Sequence, residues 1–147
     1  MIVFRKIFIL CLLSLCWMGV QCQSPKSVIR IDYTTLTRGY QKQIVLTHDS
    51  VTLHVEGREE NKDVKRALTK AEWTSLVSAL KNVKLAEIPN LPSPSMKRAY
   101  DGARHSTITL TTKDQKTLAH AFDNEDAHAK LQPLMKAILK IEEATAH

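Results

Sequence analysis

The chain has 147 residues, 24% of them charged and 44% hydrophobic, with a net charge of +6 and only three cysteines. That length suits one domain with an ordinary hydrophobic core. The basic excess is diffuse and has no aromatic stacking platform beside it, which argues against a nucleic-acid partner.

The opening is the most telling segment. Arg5-Lys6 precede an apolar run over 7–20, the charged n-region and h-region of an export signal, too short for a comfortable membrane span. Cys11, Cys16 and Cys22 all fall in this run or just after it. Residues 1–22 are therefore expected to be a signal peptide and 23–147 a single exported α+β domain, bound for the periplasm, the outer surface or the medium. Cleavage after Cys22 would leave Gln23 as an N-terminal glutamine able to cyclise, and a thiol-free domain held by its core. Cleavage before Cys22 would leave that thiol to carry lipid and tie the chain to a membrane, although Gln21 is not the small residue such a peptidase normally takes. An uncleaved leader would remain as an anchor. Losing Arg5 and Lys6 lowers the net charge by two, and the remaining excess suits an anionic envelope component or an unidentified protein as partner.

The first strand is expected over 28–35, with Ile29, Ile31 and Tyr33 on one face. Strands over 43–47 and 51–57 flank His48-Asp49-Ser50, a hairpin turn, with Val51, Leu53 and Val55 facing inward and Thr52, His54 and Glu56 outward. The basic run Lys62, Lys65, Arg66 and Lys70, interleaved with Glu59, Glu60 and Asp63, reads as a solvated loop. Thr69 and Glu72 form a capping box for a helix whose Trp73, Leu76, Val77, Leu80 and Val83 recur at helical spacing. Pro89, Pro92 and Pro94 stop it and stiffen a structureless connector, of the long ordered kind that more often carries function. Strands over 106–112 and 117–122 return around 113–116. A closing helix carries Leu131, Leu134, Met135, Ile138 and Ile141, with Pro133 in its first turn. The expected fold is α+β: an antiparallel sheet of about five strands with two helices packed on one face, in the order β-β-β-α-β-β-α.

Tyr100-Asp101-Gly102-Ala103 before one strand and Ala121-Phe122-Asp123 at the end of the next resemble the motifs of an uncharacterised family of small exported domains, secreted or lipoprotein, of Gram-negative bacteria. The resemblance spans 67–141. It implies the strand-rich start, the Trp-containing helix and the proline loop, and it implies no activity, cofactor or site. Asn124-Glu125 and a single Pro133 stand where the family often has His-Gly and paired prolines.

If the second hairpin forms, Asp101 and Asp123 emerge at one open end beside Arg104 and His105, and these four are the candidate binding residues. An ion pair of Arg104 with Asp101 or Asp123 is the competing, purely structural reading. Asp123, Glu125, Asp126 and His128 concentrate potential metal donors but lack the Gly-centred alternation of a calcium loop. Asp126 is better read as a cap for the closing helix. His120 is odd among the six histidines because it falls between Leu118 and Phe122 on a strand. Burial with a hydrogen-bond partner is one account, and burial of Ala119 and Ala121 in its place is the other. Ser106, His120 and Asp123 can be written as a triad, but no nucleophile motif surrounds them, so no catalytic residue, metal or cofactor is assigned. The expected function is that of a small exported non-catalytic binding or accessory protein. The alternatives are a hydrolase of an envelope polymer and a small inhibitor or immunity-type protein.

Overall fold

A computed structural model describes residues 24–100 and 102–147, so the expected signal peptide, with Cys22, lies outside the described residues, as does Asp101. Six strands form one antiparallel sheet: β1 (Val28–Thr37), β2 (Tyr40–Thr47), β3 (Ser50–Gly57), β4 (Asn61–Ala67), β5 (His105–Thr112) and β6 (Thr117–Asp123). Among the described residues two main helices accompany it, α1 (Lys70–Ala79) and α2 (Gln132–Ala146). Across the sheet the order is β4-β3-β2-β1-β5-β6, a four-strand meander to which the second hairpin adds beside β1.

Period-two alternation explains which face is buried. One row of inward residues crosses every strand: Val64, Leu53, Ile44, Tyr33, Ile108 and His120. The row beside it holds Val51, Leu46, Ile31 and Leu110, each shielded from solvent. Leu76 and Leu80 of the first helix region and Leu134, Met135 and Ile138 of α2 close over this face. Each large side chain in the cluster contributes about 1.5–3 kcal/mol relative to exposure.

Three expectations change. The sheet has six strands, because Lys62, Lys65 and Arg66 of the basic run lie in β4 and not in a solvated loop, with Lys70 opening α1, giving β-β-β-β-α-β-β-α. Lys62, Val64 and Arg66 are its inward positions, and the charged heads of the two cations reach the end of α2. Lys62 Nζ donates to the Ala146 carbonyl, and Arg66 Nε to Thr145 Oγ1 at 2.9 Å. In β1, a bulge between Val28 and Arg30 moves Val28, and not Ile29, onto the core face. Leu85–Asn90 and Lys97–Tyr100 form 3-10 turns, so the proline connector is structured at both ends. The first of these turns packs against β6, the edge opposite β4.

Lys42 also points inward, 7% exposed, and its Nζ meets Glu142 Oε1 at 2.7 Å. Burial opposes its charge, but Glu142, with Tyr33 and Tyr40 behind it, holds the ammonium above its usual range.

The capping box of α1 forms as expected. Glu72 N–H donates to Thr69 Oγ1 at 3.2 Å and Thr69 N–H to Glu72 Oε2 at 2.8 Å. Arg66 adds a two-pronged ion pair to the same carboxylate, with bonds of 2.7 and 3.1 Å. Chiefly through Arg66, and then through the cap, Glu72 is held at a pKa of about 2 against an ordinary 4.5. A folded-state pKa below the unfolded one gives stability that is complete above pH 4.5 and lost as pH falls toward 2. Urea titrations should therefore show Thr69→Ala about 1 kcal/mol less stable at pH 7. Glu72→Gln should remove part of the acid sensitivity below pH 4.5; an unchanged acid limb would contradict this assignment.

Candidate functional site

The end of the sheet that carries the start of β5 and the end of β6 is where the expected site residues meet. His105 pairs with Asp123 in the ladder, and Arg104 and Asn124 continue it: Asn124 N–H donates to the Arg104 carbonyl at 2.9 Å, and Arg104 N–H to Asn124 Oδ1 at 3.1 Å. Asn124 has φ +53°, a conformation that asparagine tolerates better than most residues. Arg104, His105 and Asp123 are thus brought together, as the hairpin requires.

Their roles differ from expectation. Asp123 does not pair with Arg104. The Arg104 guanidinium lies over the Tyr40 ring, 5.1 Å from its centroid. Asp123 is 2% exposed and is enclosed by the segment that follows the prolines. Its Oδ2 accepts from Ser95 Oγ and from Lys97 N–H at 2.7 Å. Its Oδ1 accepts from Arg98 N–H at 3.3 Å and from Arg98 Nη1 at 2.7 Å. Burial works against this charge, but Ser95, Arg98 and the two backbone amides hold the carboxyl well below the usual range.

Arg98 completes the clamp from the loop side. Its Nη1 also donates to Ser93 Oγ and to the Ser95 carbonyl, each at 3.0 Å, and Nη2 lies 3.2 Å from Met96 Sδ. Ser93 Oγ in turn donates to the Ser95 carbonyl at 2.7 Å. Gly102 then brings the backbone under the Tyr100 ring. A Cβ there would stand 3.0 Å from Tyr100 Cε2 and 3.2 Å from the Lys97 carbonyl oxygen, which receives the Gly102 N–H at 2.8 Å.

Clamped in this way, the loop turns apolar side chains outward. Among the described residues, the large hydrophobics left in solvent are Tyr100 (71% exposed), Met96 (56%) and Leu36 (48%). Two of the three stand on this loop, and Leu36 lies opposite His105 in the β1–β5 ladder, at the same end of the sheet. Beside Leu36 is an open hollow of about 490 Å³ lined by Tyr40, Gln41, Glu56, Arg58 and Asn61.

His120 is buried at 3% exposure, and Ala119 and Ala121 turn to the opposite face. Its ring stacks on Phe122 at 5.8 Å and meets His128 edge-on at 6.5 Å, while Nε2 has no hydrogen-bond partner among the described residues. Burial first, then His128 and Arg98, lower its pKa below 6.5. The written triad is not assembled: Ser106 Oγ donates to Thr35 Oγ1 at 2.8 Å, and Asp123 is engaged by the loop. Among the described residues, no three of the His, Cys, Asp and Glu side chains are placed to hold a metal. Asp126 does not cap α2, which begins at Gln132. His128 serves the preceding turn instead, its Nδ1 accepting from Lys130 N–H at 3.2 Å and its carbonyl from Leu131 N–H at 2.7 Å.

Asp123→Asn keeps the shape and one or two bonds but removes the charge, so it should leave the sheet folded while trypsin cuts after Lys97 or Arg98 much faster than in the parent. Equal cutting would mean that the carboxylate does not hold the loop. His120→Phe should flatten stability below pH 6.5. The parent loses stability there because its unfolded chain takes up a proton that the buried imidazole resists. Parallel pH curves for the two would show that this imidazole does not set the slope.

Compared with known proteins, the chain matches no family model, no curated protein and no solved structure.

Proposed function

We propose that this chain is a small exported, non-catalytic binding protein that holds out the loop around 93–100 to a protein partner. The observation that carries the reading is the pairing of opposites on one segment: Arg98 and Asp123 are sequestered, and Met96 and Tyr100 between and beside them are left in water. A loop already ordered in the free protein loses little conformational entropy on binding, and flexible Met and rigid Tyr side chains suit a protein surface. Leu36, His105 and Arg104 at the same end extend the surface with one apolar and two basic groups. Export rests on Arg5-Lys6 and the apolar run after them. The engagement of Ser106 by Thr35 and of Asp123 by Arg98 weighs against the hydrolase reading.

The double variant Met96→Ser with Tyr100→Ser tests this. Both side chains are exposed, so stability should stay within about 0.5 kcal/mol. Affinity for a partner captured from the host's envelope or medium should fall by about tenfold or more. A double variant that captures the same partner with the same affinity would remove the loop from the interface.

A further inference from the structure

Strand β4 closes the sheet at the edge away from the clamped loop, and no described strand pairs with its outer side. The Leu68 N–H donates to the Asp49 carbonyl at 3.0 Å, which sets the phase of the β3–β4 ladder. Hydrogen-bonded and non-bonded pairs alternate along an antiparallel ladder. Lys62, Val64 and Arg66 therefore turn their backbone groups toward β3, and Asn61, Asp63, Lys65 and Ala67 turn theirs to the free edge.

Two copies meeting edge to edge can bond only through those four residues, and charge distinguishes the central registers. A two-fold axis at Asp63 sets Asp63 against itself, and an axis at Lys65 sets Lys65 against itself. An axis at Val64 sets Asp63 against Lys65 twice, with Asn61 opposite Ala67. Opposite charges across a ladder stabilise it and like charges weaken it. Asp63 and Lys65 both stand on the open face of the sheet, and Lys65 has no partner among the described residues. Asp63 spends Oδ1 on His54 Nδ1 at 2.6 Å and keeps Oδ2 free for a second cation.

Inward charges on an edge strand commonly guard it against pairing. In the Val64 register Lys62 would face Arg66 of the other copy. Both are already drawn down onto their own molecule, Lys62 to the Ala146 carbonyl and Arg66 to Glu72 at 2.7 Å.

We propose that the β4 edge is a homodimer interface, in which a second copy of this chain pairs antiparallel about Val64 and its Lys65 meets Asp63. The two sheets become one, with the helices on one side and the two clamped loops at the far edges. Nothing in this depends on what those loops bind.

Sedimentation equilibrium of the protein as its host processes it should show a reversible monomer–dimer equilibrium. Lys65→Glu, at an exposed and unpartnered position, should weaken dimerisation by about tenfold, because both attractive pairs become repulsive. Adding Asp63→Lys to that variant should restore the parent affinity to within about threefold. A parent that stays monomeric at millimolar concentration overturns the proposal. So does a Lys65→Glu protein that dimerises as well as the parent, or a folded charge-swapped double variant that does not recover.

Discussion

A carboxylate removed from water must be given donors, and Asp123 finds four within one short stretch of chain: a serine hydroxyl, two consecutive backbone amides and a guanidinium. That requirement determines the conformation of the loop. Ser93, Ser95 and Arg98 have to turn inward to satisfy the charge and one another. The residues between and beyond them, Met96 and Tyr100, then have nowhere to go but outward. Pro92 and Pro94 narrow the backbone choices before the clamp and Gly102 closes it afterwards. An apolar surface at this site is thus a by-product of a polar lock.

The same logic operates on a larger scale under the sheet. Three cations, Lys42, Lys62 and Arg66, occupy inward positions of β2 and β4, where an apolar side chain would be the simple choice. Each is answered by the last turns of α2 or the first turn of α1: Glu142, the Ala146 carbonyl, and Thr145 with Glu72. The end of a helix offers unsatisfied carbonyls and a partial negative charge, so cations beneath it are favourably placed. A buried ion pair gives only modest stability over a hydrophobic pair but penalises any register that separates its members. In this fold the Lys42–Glu142 ion pair and the hydrogen bonds of Lys62 and Arg66 tie β2 and β4 to the end of α2, contacts that span 79 to 100 residues of sequence.

What was legible in the sequence follows from how local each signal is. Val51, Leu53 and Val55 alternate, Thr69 and Glu72 stand three apart, and Leu131 to Ile141 keep helical spacing. Each pattern lies within a few residues and each element forms there, although α1 ends at Ala79, before the expected Leu80 and Val83. β4 carries only one apolar inward residue, Val64, so its alternation is invisible to a hydrophobic reading. The group that takes up Lys62, and one of the two that take up Arg66, are about eighty residues away, while the other partner of Arg66 is Glu72 of the next helix. The open-end cluster was half legible. The β5–β6 hairpin puts Arg104, His105 and Asp123 together, but the cation that reaches Asp123 is Arg98, one turn back in a loop read as structureless. Serines and an arginine in a proline-stiffened connector, facing an Asp at a strand end, were the available clue. Asp126 has the acidic character that favours a helix start, yet the helix begins six residues later.

The central claim is that the free protein already holds this loop in place through one carboxylate. Amide hydrogen exchange tests it most directly, because the two backbone donors to Asp123, at Lys97 and Arg98, belong to no strand or α-helix and would otherwise exchange freely. The account predicts that both amides are protected well above their solvent-exposed neighbours and lose that protection when Asp123 is neutralised. Exchange at the rates of an open coil in the unaltered protein would contradict it.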